Sequence, residues 1–362
     1  MSQMMSNKSS SSIWWEEIQG PRSIKEEIFN SLSNGKSVIL TGERIPWSKT
    51  LLYHISRDLE KIFNIYTEEK NGAENADNPE EFILKNFKKP NEGHTYRKGG
   101  GLSFTDYLKK VKVLENKLIY ISGVSEKGYE SWIKFLKEYK IDNAKKGIFL
   151  IEAGISLSQV NIVNTGRMSV IDVMSKISSY DILSFSMLLA SKLDVNDIWK
   201  HYTAWVTSLA FEKNVESLAN FIVEIVSQSE IKKFHSILKK EITDEKLFTK
   251  ALWTTQIQIL FPIIENLRIK IIEEYKNKLE DILSSETHEY YDTKITDPYD
   301  AELGFLFHLS KYNTLFPAKT KNTIRFLRDY RNNLAHLEYS DENEIDRIIS
   351  LNSLFAERKT KN

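Results

Sequence analysis

Near the C-terminus of this 362-residue chain, the run Arg331-Asn332-Asn333-Leu334-Ala335-His336 brings a guanidinium, an amide and an imidazole within two helical turns. An imidazole exchanges protons near neutral pH, and a guanidinium offers an anion a planar fork of donors. On a helical wheel of about 100° per residue, Ile324, Leu327, Leu334 and Leu337 form the apolar side of a helix over Lys319 to Leu337. Phe326 and Tyr330 lie at its flank. Arg331 falls on the opposite border of that stripe, beside Ala335, while Asn332 and His336, four apart, share a face just beyond it. Such groups are costly to desolvate without partners, so this border is expected to face another surface.

A second candidate follows the first strand: Gly42-Glu43-Arg44-Ile45-Pro46-Trp47-Ser48-Lys49-Thr50. A phosphate-binding turn of the form G-x-x-x-x-G-K-[ST] wraps phosphates in backbone N–H groups, with Lys on the terminal phosphates and Ser/Thr on magnesium. The opening glycine is here, and Lys49-Thr50 begin the next helix. The loop is one residue longer, however, and Ser48 replaces the glycine before the lysine. Pro46 has no N–H to donate, and Trp47 is bulky where phosphate must approach the backbone. The acidic residue that organises magnesium and water in an NTPase is also missing, because the third strand ends Ile121-Ser122-Gly123. Glu152, ending the following strand, is the nearest carboxylate. Gly42, Lys49 and Thr50 are therefore candidates for binding ATP or GTP without hydrolysis. The plainer reading is an inert scaffold with Lys49 as a surface residue at a helix start.

The elements that must position these groups divide the chain in two, as its length suggests. Lys+Arg and Asp+Glu number 50 each, so any RNA contact must come from a local patch rather than an overall basic field. Without cysteine there are no disulfides, zinc–thiolate sites or thiol nucleophiles, which suits a reducing cytoplasm. No metal-ligating cluster is evident: His54, His94, His201, His235, His288 and His308 are scattered and read as surface or satisfied residues. No apolar run reaches the ~20 residues of a membrane helix. Residues 1–12 read as a serine-rich disordered tail, and Trp14 and Trp15 as an anchor. Over 13–178, near-continuous apolar runs at Ser37–Leu40, Ile62–Tyr66, Leu118–Ile121, Ile148–Ile151 and Val170–Val173 alternate with helical stretches, the pattern of a parallel α/β sheet. Glu69 to Gly101 reads as a mobile insertion carrying Lys88, Lys89, His94, Arg97 and Lys98. Residues 179–245 form a helical linker and 246–362 an all-α domain. In the latter, a long stripe (Trp253, Ile257, Leu260, Ile264, Leu267, Ile271) is interrupted by Pro262, expected to kink or divide the helix and so make a run of five.

Residues 20–175 resemble the P-loop domains of AAA+ and STAND type that serve as regulatory modules, with both diagnostic motifs eroded. The C-terminal domain resembles the HEPN family, small helical modules marked by R-x4-6-H, often R-N-x-x-x-H; Arg331, Asn332 and His336 match that form. The resemblance implies metal-independent RNA cleavage in a cleft between two HEPN copies, with no cofactor required. His336 would be general acid or base, Arg331 would neutralise phosphoryl charge, and Asn332 would orient the imidazole or the phosphate. DNA, lacking the 2′-hydroxyl, would be spared. It also implies a homodimer in a prokaryotic defence or toxin-type system, with a possible partner protein of that system. The alternative is a non-catalytic regulator that uses the helical domain to dimerise or to bind a partner or RNA.

Overall fold

A computed structural model of the chain describes residues 9–71, 76–87, 96, 101–139, 141, 143–155, 165–228, 231–285, 289–290, 293–312 and 315–359. Two compact units emerge, Met1–Phe185 with Lys213–Glu216, and Ser186–Glu212 with Ser217–Asn362.

In the first unit, helices α1 (Ser10–Glu17) and α2 (Gln19–Ser33) precede strand β1 (Ser37–Thr41). Then come α3 (Ser48–Phe63), β2 (Tyr66–Asn71), α4 (Pro79–Asn86), α5 (Phe104–Val111), β3 (Lys117–Val124), α6 (Glu126–Glu138), β4 (Ile148–Ala153) and β5 (Met168–Asp172). Helix α7 (Ser179–Ala190) follows. The five strands are all parallel in the order β2-β3-β4-β1-β5. Thr41 at the end of β1 lies opposite Ala153 on one side and Asp172 on the other. Every residue of β1 is buried, which explains its uninterrupted apolar run.

The second strand lies later than the apolar run predicts. Asn64 takes a left-handed conformation (φ 56°) that ends α3, and Ile65 is buried in the turn. The strand itself begins Tyr-Thr-Glu-Glu-Lys, a charged edge rather than an apolar centre. The region read as a mobile insertion contributes part of β2 and all of α4, which is capped by Asn78 and buries Phe82 and Ile83. Its basic residues Lys88, Lys89, His94, Arg97 and Lys98 lie outside the described residues. The N-terminal segment is helical from Ser10, where the Ser9 hydroxyl accepts the Ser12 amide and Ile13, Trp14 and Trp15 are buried.

The second unit holds α8 (Asp197–Ala210), most of α9 (Val215–Gln228), α10 (Phe234–Glu241), α11 (Glu245–Ser285), α12 (Leu303–Tyr312), α13 (Ala318–Ala335) and α14 (Glu342–Lys359). A two-residue strand pair, β6 (Glu289–Tyr290) with β7 (Thr293–Lys294), follows α11. At 41 residues α11 is about 60 Å long, and α8, α13 and α14 pack along it. Leu260, Ile264, Leu267 and Ile271 are fully buried as predicted, whereas Trp253 and Ile257 sit half-buried at the edge and Gln256 takes the core position between them. Pro262 does not divide the helix, so four α-helices rather than five run from residue 245 onward among the described residues. The proline is exposed, and so is Gln258, whose carbonyl it leaves without an amide donor, so the loss falls on the solvent side.

Because Pro262 costs α11 a hydrogen bond and touches no core, Pro262→Ala is expected to stabilise the second unit by about 1–3 kcal/mol. A rise in the urea midpoint with unchanged m-value would show it; an unchanged or lower midpoint would mean the proline is needed.

Candidate functional site

Helix α13 buries Ile324, Leu327, Tyr330 and Leu334. Tyr330, expected at the flank, is only 1% exposed, because its hydroxyl finds a buried partner in Gln256. The helix stops at Ala335, earlier than the periodicity predicts. The amides of Leu337 and Glu338 turn back to the carbonyls of Leu334 and Asn333 (3.2 and 3.0 Å). This is the double bond pattern of a Schellman ending. Its left-handed position is filled by Leu337 (φ 62°), which is 63% exposed rather than part of the core stripe.

The candidate residues occupy that ending. Arg331 is half-buried, with its guanidinium 3.3 Å from the exposed carboxylate of Glu302. Asn332 and His336 are exposed, the latter as the residue capping the helix. Two side chains one turn apart on α11 hold the segment at both ends. Trp253 Nε1 donates to the Leu334 carbonyl (2.7 Å), and Gln256 grips Ser340, donating to its carbonyl (2.8 Å) and accepting its amide (2.8 Å).

The Gln256 amide is saturated. Its nitrogen also donates to the Tyr202 hydroxyl and its oxygen also accepts from Tyr330, both at 3.2 Å, giving two donors and two acceptors used. The network continues from Tyr202 to His235 Nε2 (2.8 Å), and the Glu342 carboxylate takes the His235 amide (2.7 Å) and faces Nδ1 at 3.4 Å. A neutral imidazole protonated on Nδ1 satisfies every member. Burial pushes the His235 pKa down despite Glu342, and raises those of Tyr202 and Tyr330. In the first unit His54, expected to be satisfied or at the surface, is neither. It is buried on α3 with no hydrogen bond to either nitrogen, Nδ1 lying 3.4 Å from Glu16. Its pKa is lowered, chiefly by burial.

The loop between β1 and α3 lines a cleft of about 500 Å³ with Gly42, Glu43, Arg44, Pro46, Asp172, Met174, Ser175 and Lys213 to Glu216. Gly42 has a φ of 141°, a backbone open to glycine, and a Cβ there would come within 3.4 Å of Met174. Lys49, exposed, and Thr50 follow in the first turn of α3. Trp47 sits in the left-handed region (φ 44°) and supplies no capping side chain. It is braced by rings of Trp14 and Phe185 at 6.5 and 5.9 Å, and Trp15 Nε1 donates to the Pro46 carbonyl at 3.1 Å. The Glu216 carboxylate takes the Trp47 amide at 2.7 Å on one oxygen and pairs with Arg44 through the other. Glu152, the carboxylate singled out by sequence, accepts the hydroxyl of buried Tyr120, which Ser48 also contacts. Burial first, then Glu152, raises the Tyr120 pKa.

Glu216, Trp253 and Gln256 are the side chains that sequence reasoning missed. Gln256 had a signal, a lone amide at a core position of an apolar stripe. Glu216 had none, being one carboxylate among many and about 170 residues from its partners.

No family model and no curated protein matches the chain. Among solved structures, two variant chains of RuvB from Thermotoga maritima share 12% identity with it. One match covers 75% of this chain and 82% of that one at a TM-score of 0.30, the other 86% and 94% at 0.29. Similarity at that level carries no argument about this chain. Among the described residues no group of three His, Asp or Glu side chains is placed to hold a metal, and no helix is long and apolar enough to cross a membrane.

Gln256→Leu removes four buried hydrogen bonds, to Tyr202, to Tyr330 and to both backbone groups of Ser340, leaving the Tyr202 hydroxyl only its bond to His235, so a loss of about 3–5 kcal/mol is expected by urea unfolding. A loss below 1 kcal/mol would show the network to be dispensable. His54 and His235 bind protons less readily folded than unfolded. Their contribution is therefore complete above the unfolded value of about 6.5 and declines as pH falls below it. Urea midpoints should drop between pH 7.5 and 5.5, and His54→Leu should flatten that slope; an unchanged slope would remove His54 from the account.

Proposed function

We propose that this chain is a metal-independent endoribonuclease of a prokaryotic defence or toxin-type system, acting where two copies of its helical unit meet. The observation that supports it best is the exposure of Asn332, adjacent to Arg331, and of His336, five residues on, at a helix ending secured by Trp253 and Gln256. In this reading His336 moves the proton of the ribose 2′-hydroxyl or of the leaving oxygen, Arg331 carries the charge growing on the phosphoryl oxygens, and Asn332 orients one or the other. The Arg331–Glu302 pair is a surface contact worth at most about 1 kcal/mol, and a phosphate can displace it. The α/β unit regulates the nuclease, with Gly42, Lys49 and Thr50 holding ATP or GTP without hydrolysis.

That same ion pair favours the second reading, a non-catalytic module whose α13 ending binds a partner or a second copy, because it already occupies the guanidinium. Purified protein incubated with mixed RNA in EDTA separates the two. Cleavage that spares DNA and falls at least about 100-fold in both Arg331→Ala and His336→Ala supports the nuclease. Intact dimers with no cleavage at any protein concentration would replace it with the binding module.

A further inference from the structure

The β1–α3 loop contains an anion that the chain itself supplies. The positive end of α3 draws negative charge, and the amide preceding its first turn points at an acceptor. That acceptor is the Glu216 carboxylate, held by the Trp47 amide at 2.7 Å and by Arg44. Its side chain is only 19% exposed, whereas that of Arg44 is 67% exposed, so the cation remains reachable from the cleft while its counter-ion is sheltered. The left-handed turn at Trp47 aims the amide, and the Trp15–Pro46 bond and the surrounding rings keep it aimed. With Glu216 in place the cleft lining carries three carboxylates (Glu43, Asp172, Glu216) against two cations (Arg44, Lys213). Withdrawing Glu216 evens that balance.

We propose that Glu216 is a built-in lock on this loop: its carboxylate occupies the position of an external oxyanion, and a phosphate-bearing ligand enters the cleft only by displacing it. The lock rests on reading residues 42–50 as a phosphate-binding turn. A tethered carboxylate competes at an effective concentration in the millimolar range or above. Binding to the native chain is therefore weak, and removing the carboxylate strengthens it.

Calorimetric titration of the full chain with inorganic tripolyphosphate tests this. Glu216→Ala is expected to bind at least about tenfold more tightly than the native chain, with the gain lost when Arg44→Ala is added. Equal binding by the native chain and Glu216→Ala leaves the phosphate turn standing and removes the lock. Binding by neither overturns both. Should Glu216→Ala fold poorly, Glu216→Gln keeps an acceptor for the Trp47 amide and removes the charge, and a smaller gain in the same direction is expected. The native chain gives an independent readout, since saturating tripolyphosphate must shift the Trp47 amide resonance as its acceptor changes; an unmoved resonance overturns the lock.

Discussion

One buried amide organises the helical unit. Gln256 lies at a core position of α11 with no exposure, and each of its four hydrogen-bonding positions is used. Its partners come from α8, from α13 and from the turn after α13. A single side chain therefore sets how deep Tyr202 and Tyr330 sit and where the chain runs after the α13 ending. An apolar residue would pack there without specifying any of these, since dispersion contacts have no direction. The polar group instead fixes one arrangement, because every alternative leaves a buried group unsatisfied.

In the α/β unit the same principle works through strain. A tryptophan at positive φ costs of order 1 kcal/mol, and it persists because Trp14, Trp15, Phe185 and Glu216 all hold the loop in that shape. The glycine-rich form of such a turn wraps phosphate closely in backbone N–H groups. Here bulky side chains and an internal carboxylate take the place of glycine flexibility.

The parallel sheet was legible because its inner strands are buried on both faces and read as continuous apolar runs. The edge strand β2 escaped, since an edge exposed to water carries charge and the neighbouring apolar run, Ile62 to Tyr66, spans the end of α3, the turn after it and only the first residue of the strand. Helix periodicity located α13 but not its stop, because the left-handed residue is Leu337 where glycine is the usual marker. Pro262 does not divide α11 because it and Gln258, whose carbonyl it deprives of a donor, are both exposed, so the lost bond costs least there. Of the candidate site, Arg331, Asn332 and His336 could be read in sequence because they share one helix. The groups that hold them, Trp253 and Gln256, come from a helix some 80 residues away and declare themselves only in three dimensions.

The leucine that closes α13 also bears on motion. Held at φ 62° with most of its side chain in water, Leu337 gains little from burial and gives up part of its conformational energy to keep the turn. That energy returns when the last turn opens. The opening equilibrium at 335–338 therefore lies closer to balance than in the interior of the same helix, where Tyr330 and Leu327 are clamped. His336 caps that ending, so its amide should exchange with solvent before those a turn and a half upstream, where Tyr330 and Leu327 are buried.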